Sequence, residues 1–190
     1  MTVPTRTPAV GTAQPQPHDQ AAGDGARRAA RALTSAVTVL TVGGARPHGT
    51  TVSAVVAISR TPLLLGVCLR PTSTFADRLR DTPLFSVNVL GAAQERLARR
   101  FADPERPDGE AQFAGMSVTP DPLTGAPLLA DCVAHLACSV VRRHHIGDHD
   151  LLVAEAVAGD SPGGDPLVSF ATRLHRGLHR TDDDPDPWER

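Results

Sequence analysis

Short runs of β-branched and other apolar residues recur along the chain, and no regular series of helices separates them. Turns rich in Gly or Pro bound these runs, as expected for strands. The strand-length runs are residues 37–42 and 50–58, PLLLGVCL, PLFSVNVL, VAHLACSVVRRHH and HDLLVAEAVAGD, followed by a last apolar piece, DPLVSFATRLHRGL. Helical spacing is limited to residues 26–33, PTSTFADRLRD and GAAQERLARRFAD. This pattern predicts a mainly β fold, namely a small antiparallel β-barrel with flanking short helices.

The length of 190 residues suits a single domain, and 41% hydrophobic with 21% charged residues is typical of a globular protein. A net charge of -2 gives no general attraction to nucleic acid or to anionic membranes. No stretch approaches the roughly 18 apolar residues of a membrane span, and the first residues lack a signal-peptide core. We therefore expect a cytoplasmic protein that binds neither nucleic acid nor membrane.

The ends of the chain differ in composition from the rest. Residues 1–24 are rich in Pro, Gln and Thr without hydrophobic periodicity, and residues 179–190 are rich in Asp and Arg. We expect a disordered leader, one domain over residues 25–178 and a disordered tail. The three cysteines, Cys68, Cys132 and Cys138, are odd in number and have apolar neighbours, which favours buried free thiols over a disulfide or metal role.

The segment RPTSTFADRL places an arginine and several hydroxyl groups directly before a predicted helix. A helix N-terminus offers free N–H groups and a partial positive charge, so Arg70, Ser73 and Thr74 are candidates to hold a phosphate. An ordinary helix cap explains the same residues. The chain contains neither a Walker-type loop nor G-x-G-x-x-G, so any phosphate must be held in another way.

The segment HGTTVSA begins a strand with three hydroxyl side chains. Strand alternation sends Thr51 and Ser53 to one face and Thr50, Val52 and Ala54 to the other. Small side chains let a flat ligand approach the backbone, whose polar groups then bond its edge. Threonine and serine on an edge strand are the alternative reading.

The run HHIGDHD carries residues of metal-ligand type, but it straddles a turn and lacks the geometry of H-E-x-x-H. We expect a histidine at the mouth of a site rather than a metal centre. The chain has no G-x-S-x-G elbow and no pair of carboxylates at a diagnostic spacing, so the sequence gives hydrolysis little support.

Taken in order, RPHGTTVSAVVAISRTPLLLGVCLRPTSTFADRLRDTPLFSVNVL, ERLARRFAD, APLL and GDHDLLVAEAV resemble the flavin reductase family over residues 32–174. The resemblance implies the FMN-binding split-barrel fold, a Greek-key-like antiparallel barrel. It also implies an NAD(P)H:flavin oxidoreductase, often the small reductase of a two-component monooxygenase and usually a homodimer. The expected cofactors are FMN or FAD with NADH or NADPH, and the expected partner is an oxygenase that receives reduced flavin.

The resemblance also implies site residues. Those expected to contact the flavin are Thr50, Thr51, Val52, Ser53, Ala54, Leu69, Arg70, Ser73, Thr74, Asn88, Arg100 and Phe101. His149 and Arg173 match positions that contact the nicotinamide nucleotide, although the glycine and aromatic residue usual around Arg173 are absent. Hydride transfer between two cofactors requires no catalytic residue of the protein.

Two other functions remain open from the sequence. One is a flavoprotein of the same fold that retains its flavin and acts on an organic substrate, and the other is a non-catalytic flavin-binding module. The residues do not decide between FMN and FAD or between NADH and NADPH.

Overall fold

The structure is a computed structural model that describes residues 18–177. The chain divides after Leu33 into two compact units. The first contains helix α1, His18–Ala30, which begins within the segment expected to be a disordered leader. Alanines favour the helix, and Arg27 forms an exposed ion pair with Asp24 at 3.0 Å. Residues 1–17 and the expected tail lie outside the described residues.

The second unit is mainly β within the described residues. Its strands are β1 Ser35–Ala36, β2 Thr38–Val42, β3 His48–Val52, β4 Val55–Arg60, β5 Leu63–Leu69, β6 Leu84–Val89, β7 Val118–Pro120, β8 Pro127–Leu129, β9 Ala134–Ile146, β10 His149–Asp160, β11 Leu167–Phe170 and β12 Arg173–Arg176. Its helices are α2 Thr74–Asp81, α3 Glu95–Ala102 and the 3-10 helix Gly109–Phe113. Short flanking helices on an antiparallel β fold confirm the predicted class.

Seven strands form one antiparallel sheet in the order β3-β2-β6-β9-β10-β5-β4. Strands β3 and β4 occupy its two edges, yet only Ser53 and Ala54 separate them in the chain. A flat sheet of this size would hold its edges about 29 Å apart at the usual strand spacing. Two linking residues reach only about 10 Å. The sheet must therefore curl until its edges meet, which makes a barrel with a seam between β3 and β4.

This closure corrects one prediction. Residues 50–58 were expected to form a single strand, but the chain leaves β3 at Val52 and starts β4 at Val55. The apolar pattern runs through the break because residues on both sides still face the barrel core. The small residues Ser53 and Ala54 lie exposed at the break.

Strand β2 separates two hydrophobic clusters and is buried along its whole length. Leu40 and Val42 face the barrel interior, whereas Val39 faces a second cluster under α3. Helix α2 covers the barrel interior with Phe75, whose ring meets Phe85 edge-on at 6.1 Å. These contacts fix the start of α2 relative to the barrel.

The three cysteines are free, as expected, but they differ in burial. Cys132 and Cys138 are buried, and burial raises the pKa of each thiol to about 12. The expectation of a buried thiol is wrong for Cys68. It points outward between the buried Val67 and Leu69, because side chains alternate along β5.

None of the helices in residues 18–177 has the length and apolar character needed to cross a membrane.

Candidate functional site

A cavity of 420 Å³ lies at the seam of the barrel, where the two edges of the sheet meet. We call it the seam cavity. It is lined by Thr50, Thr51, Val52, Ser53, Ala54, Cys68, Leu69, Arg70, Ser73, Ala102 and His149. The structure thus brings together most of the residues expected at the flavin from both β3 and the start of α2.

One wall of the seam cavity is strand β3. Because β3 is an edge strand, part of its backbone N–H and C=O groups has no partner strand. The Thr51 hydroxyl donates to the carbonyl oxygen of Ala98 at 2.7 Å, which ties this wall to helix α3. Ser53 is exposed at the end of the wall. The hydroxyl-rich segment is therefore partly bonded within the protein and partly open to a ligand.

The opposite end of the seam cavity is the N-terminus of helix α2. Ser73 is the N-cap, and its Oγ accepts a hydrogen bond from the Ala76 N–H at 3.2 Å. The hydroxyl proton of Ser73 remains able to donate to a ligand. The exposed Arg70 lies beside this helix end, so helix dipole and side chain both favour an anionic group here.

His149 brings an imidazole to the mouth of the seam cavity. Its Nδ1 lies 2.9 Å from the Asp148 carboxylate, which favours a proton on Nδ1 and leaves Nε2 for a ligand. The hydrogen bond from His149 holds the pKa of Asp148 below its usual range, and Arg70 adds to this effect. His149 therefore lies where a second ligand could contact a ligand already bound in the seam cavity.

Asn88 does not line the seam cavity, although it was expected near the flavin. Its side chain is fully buried. The amide Nδ2 donates to the Val39 carbonyl at 3.0 Å and to the Thr41 hydroxyl at 3.1 Å. Its Oδ1 accepts from the Leu129 N–H at 2.8 Å. The Asn88 side chain thus joins parts of the barrel to one another, with its hydrogen-bonding groups already used.

Four other expected residues also lie outside the lining of the seam cavity. Phe101 is a fully buried residue of α3, and its ring centroid lies 5.4 Å from that of Phe113. The Arg100 guanidinium donates to the Ala111 carbonyl at 3.3 Å. Thr74 is the exposed first residue of α2, and Arg173 is exposed on β12 in the separate three-stranded sheet.

Sequence reasoning missed Cys68 and Ala102, both of which line the seam cavity. The alternation of side chains along GVCL could have predicted the position of Cys68, because it places Cys68 on the face of β5 opposite to that of Val67 and Leu69. Ala102 ends helix α3 directly after the buried Phe101. No local pattern shows that this end of α3 reaches the seam.

The curled antiparallel sheet and the seam cavity define a small β-barrel with a cleft suited to a flat ligand that carries an anionic group. The model of the flavin reductase like domain matches residues 30–178. The chain belongs to the flavin reductase family.

Similar proteins of known name agree with this family. The chain is 41% identical to the NADPH-flavin oxidoreductase of Streptomyces viridifaciens, over 81% of this chain and 82% of that protein. It is 34% identical to the reductase component of a 4-nitrophenol 4-monooxygenase/4-nitrocatechol 2-monooxygenase from Rhodococcus opacus, over 75% of this chain and 74% of that protein.

A solved structure shares the fold. It is the NADH:FAD oxidoreductase of Streptomyces globisporus in complex with NAD and FAD fragments, with a TM-score of 0.77 and 31% identity. The match covers 90% of this chain and 100% of that chain.

Proposed function

We propose that this protein is an NAD(P)H-dependent flavin reductase that transfers hydride from NADH or NADPH to FMN or FAD. The reduced flavin would pass to a partner monooxygenase in the cytoplasm. The observation that carries the proposal is the seam cavity, which joins the β3 wall, Arg70, Ser73 and His149 in one space.

The residues of the seam cavity fit a flavin. A flat ring system needs small side chains and exposed backbone along one wall, and residues 50–54 of β3 and the following break supply both. A flavin phosphate needs donors and positive charge, which the N-terminus of α2 and Arg70 supply. Bound flavin supplies the hydride-accepting chemistry.

The protein's own residues bind and orient the reactants. The β3 backbone would hold the polar edge of the ring, and Ser73 would donate to the phosphate. His149 lies at the mouth of the cavity, where its Nε2 could contact the nicotinamide nucleotide. The buried Val52 and Leu69 give the cavity an apolar side that excludes water. Alignment of the two cofactors in this way would lower the entropic part of the barrier to hydride transfer.

A monooxygenase partner is supported by the relative from Rhodococcus opacus, whose name describes the reductase component of a monooxygenase. An oxygenase component on another chain would receive the reduced flavin.

We also propose that the protein is a homodimer. Strands β9, β10, β5 and β4 are consecutive neighbours in the sheet and carry exposed apolar side chains on their outer surface. These are Val56, Ile58, Leu63, Val141 and Val157, with exposure between 38% and 59%. An apolar surface spread over four strands is typical of a protein interface. A Val56→Asp variant should elute as a monomer in size-exclusion chromatography with light scattering, whereas the wild type should elute as a dimer.

The proposed activity is tested by steady-state oxidation of NADH or NADPH with added FMN or FAD. Oxidation that depends on added flavin supports a reductase with a diffusing flavin. Flavin that stays bound and is reduced only in the presence of an organic substrate would favour a substrate-specific flavoprotein. Bound flavin that neither nucleotide reduces would favour a binding module.

A further inference from the structure

Three arginines gather around Asp108 in the loop that follows helix α3. Arg46 forms an ion pair with the Asp108 carboxylate. Arg78 Nη2 lies 3.6 Å from the same carboxylate, and Arg106 belongs to the same loop as Asp108. We call Arg46, Arg78 and Arg106 the arginine cluster. Desolvation would raise the pKa of Asp108, but the Gly109 N–H and the charges of Arg46 and Arg78 together hold it below its usual range.

Hydrogen-bond donors exceed acceptors beside this cluster. The Gly49 N–H donates to Gln112 Oε1 at 3.0 Å, which turns Gln112 Nε2 toward His48 Nδ1 at 2.8 Å. On the other side of the ring, Arg106 Nη2 lies 3.0 Å from His48 Nε2. Both neighbours are donors, while a neutral imidazole accepts through only one nitrogen. Only one of the two can therefore donate to the ring, so the other needs a different acceptor.

Charge is also incompletely balanced. The Nε of Arg78 is buried and has no hydrogen-bond partner among the described residues. Burial lowers the pKa of Arg106 more strongly than the attraction of Asp103 and Asp108 raises it. Three guanidinium groups thus share two nearby carboxylates. An added anion would satisfy both the unused donors and the excess positive charge.

The arginine cluster lies outside the lining of the seam cavity but is joined to two of the elements that form it. Arg106 Nε donates to the carbonyl of Gly49 at 3.1 Å, and Gly49 directly precedes Thr50 of the cavity wall. Arg78 lies on helix α2, one turn after its first residue, and one turn advances about 5.4 Å. A nucleotide whose first phosphate is at Ser73 could therefore extend to the cluster.

We propose that the arginine cluster is a subsite for a second phosphate of a bound nucleotide, and that the Asp108 carboxylate occupies this subsite until the phosphate displaces it. The inference rests on the proposed function, because the nucleotide is one of its two substrates. The adenylate phosphate of FAD and the 2′-phosphate of NADPH share this chemistry. FMN lacks the adenylate phosphate of FAD, and NADH lacks the 2′-phosphate of NADPH, so these two serve as the matched comparisons.

Two substitutions that change the charge of this site in opposite directions test the proposal. Arg78→Gln removes a donor from the subsite, whereas Asp108→Asn removes the competing carboxylate and keeps an oxygen that can accept from the Gly109 N–H. Arg80→Gln is the control, since Arg80 lies on the same helix and is exposed. Flavin fluorescence gives the Kd of FMN and FAD for each variant, and steady-state kinetics give the KM of NADH and NADPH.

Arg78→Gln should weaken the binding of FAD or of NADPH by about tenfold, which is the effect of one charge-assisted hydrogen bond. The binding of FMN and NADH should not change. Asp108→Asn should strengthen the binding of the same nucleotide, and Arg80→Gln should leave the binding of every nucleotide unchanged. The affected nucleotide identifies the source of the phosphate. If both cluster variants weaken the binding of all four nucleotides equally, or if neither variant changes the binding of any nucleotide, the cluster only anchors the loop and the inference is wrong. A wild type that binds neither flavin would instead remove the proposed function, and this inference with it.

Discussion

The Thr51 hydroxyl donates a 2.7 Å hydrogen bond to the carbonyl oxygen of Ala98, which joins the cavity wall in β3 to helix α3. This bond gives one of the hydroxyl groups in HGTTVSA a partner within the protein. It also means that the wall of the seam cavity and helix α3 are held in one arrangement.

Replacing Thr51 by Val keeps the shape of the side chain and removes the donor. We expect the free energy of unfolding to fall by about 1 kcal/mol, as for a typical hydrogen bond. Urea unfolding measures the loss. Thr51→Ser retains the hydroxyl and should lose less stability, so equal losses in the two variants would argue against a role for the hydrogen bond.

Ser73 is predicted to have two separable roles, as the cap of α2 and as a phosphate ligand. Ser73→Ala should cost about 1 kcal/mol of stability through loss of the cap. Ser73→Asp should keep most of the stability, because aspartate also caps helices well. The added negative charge should nevertheless abolish most flavin binding.

Thermal unfolding and flavin titration of the same two Ser73 variants distinguish the roles. Retained flavin affinity in Ser73→Asp would show that the phosphate does not lie at this helix end.

Cys68 provides a direct probe of the seam cavity. It is exposed and lines the cavity, whereas Cys132 and Cys138 are buried with raised pKa values. A thiol reagent should therefore modify one cysteine quickly and the other two slowly. Saturating FMN or FAD should slow the fast reaction, and Cys68→Ser should eliminate it. A fast phase that flavin leaves unaltered would place the flavin elsewhere.

His48 should make stability depend on pH. Its burial, followed by the charge of Arg106, lowers its pKa from 6.5 to about 4 despite the opposing effect of Asp108. As pH falls below 6.5, His48 takes up a proton in the unfolded chain before it does so in the folded chain, and this favours unfolding. The contribution of neutral His48 to the free energy of unfolding is therefore complete above pH 6.5 and is lost toward pH 4. A shift of this size corresponds to at most about 3 kcal/mol.

Urea unfolding of wild type and His48→Gln at a series of pH values measures the effect. The wild type should lose stability more steeply than the variant below pH 6.5. Parallel pH profiles would show that His48 is not the group responsible.

Local sequence patterns were sufficient for most elements of the barrel and for the end of the seam cavity formed by the start of α2. The apolar run in β5 and the cap at Ser73 depend on neighbouring residues alone, so they are visible in the sequence. The hydroxyl groups of HGTTVSA and the histidines of HHIGDHD were also candidates from their own residues, and the structure brings residues 50–54 and His149 to the same cavity.

Features that depend on closure of the barrel were not predictable in the same way. The break at Ser53 arises because β3 and β4 occupy opposite edges of one curled sheet. The inward bonding of Asn88 requires three partners on two other strands, β2 and β8. The arginine cluster joins Arg46 to Asp108, which are far apart in sequence, and a turn such as GGARPHG gives no sign of this contact.

Anaerobic stopped-flow absorbance tests the central claim most directly. Purified protein with FMN or FAD is mixed with NADH or NADPH, and loss of the oxidised flavin band is followed. The oxidised flavin band should disappear rapidly with the wild type and much more slowly with Ser73→Asp at the same flavin concentration. An oxidised flavin band that persists in the wild type with every pair of cofactors would contradict the claim that this protein reduces flavin.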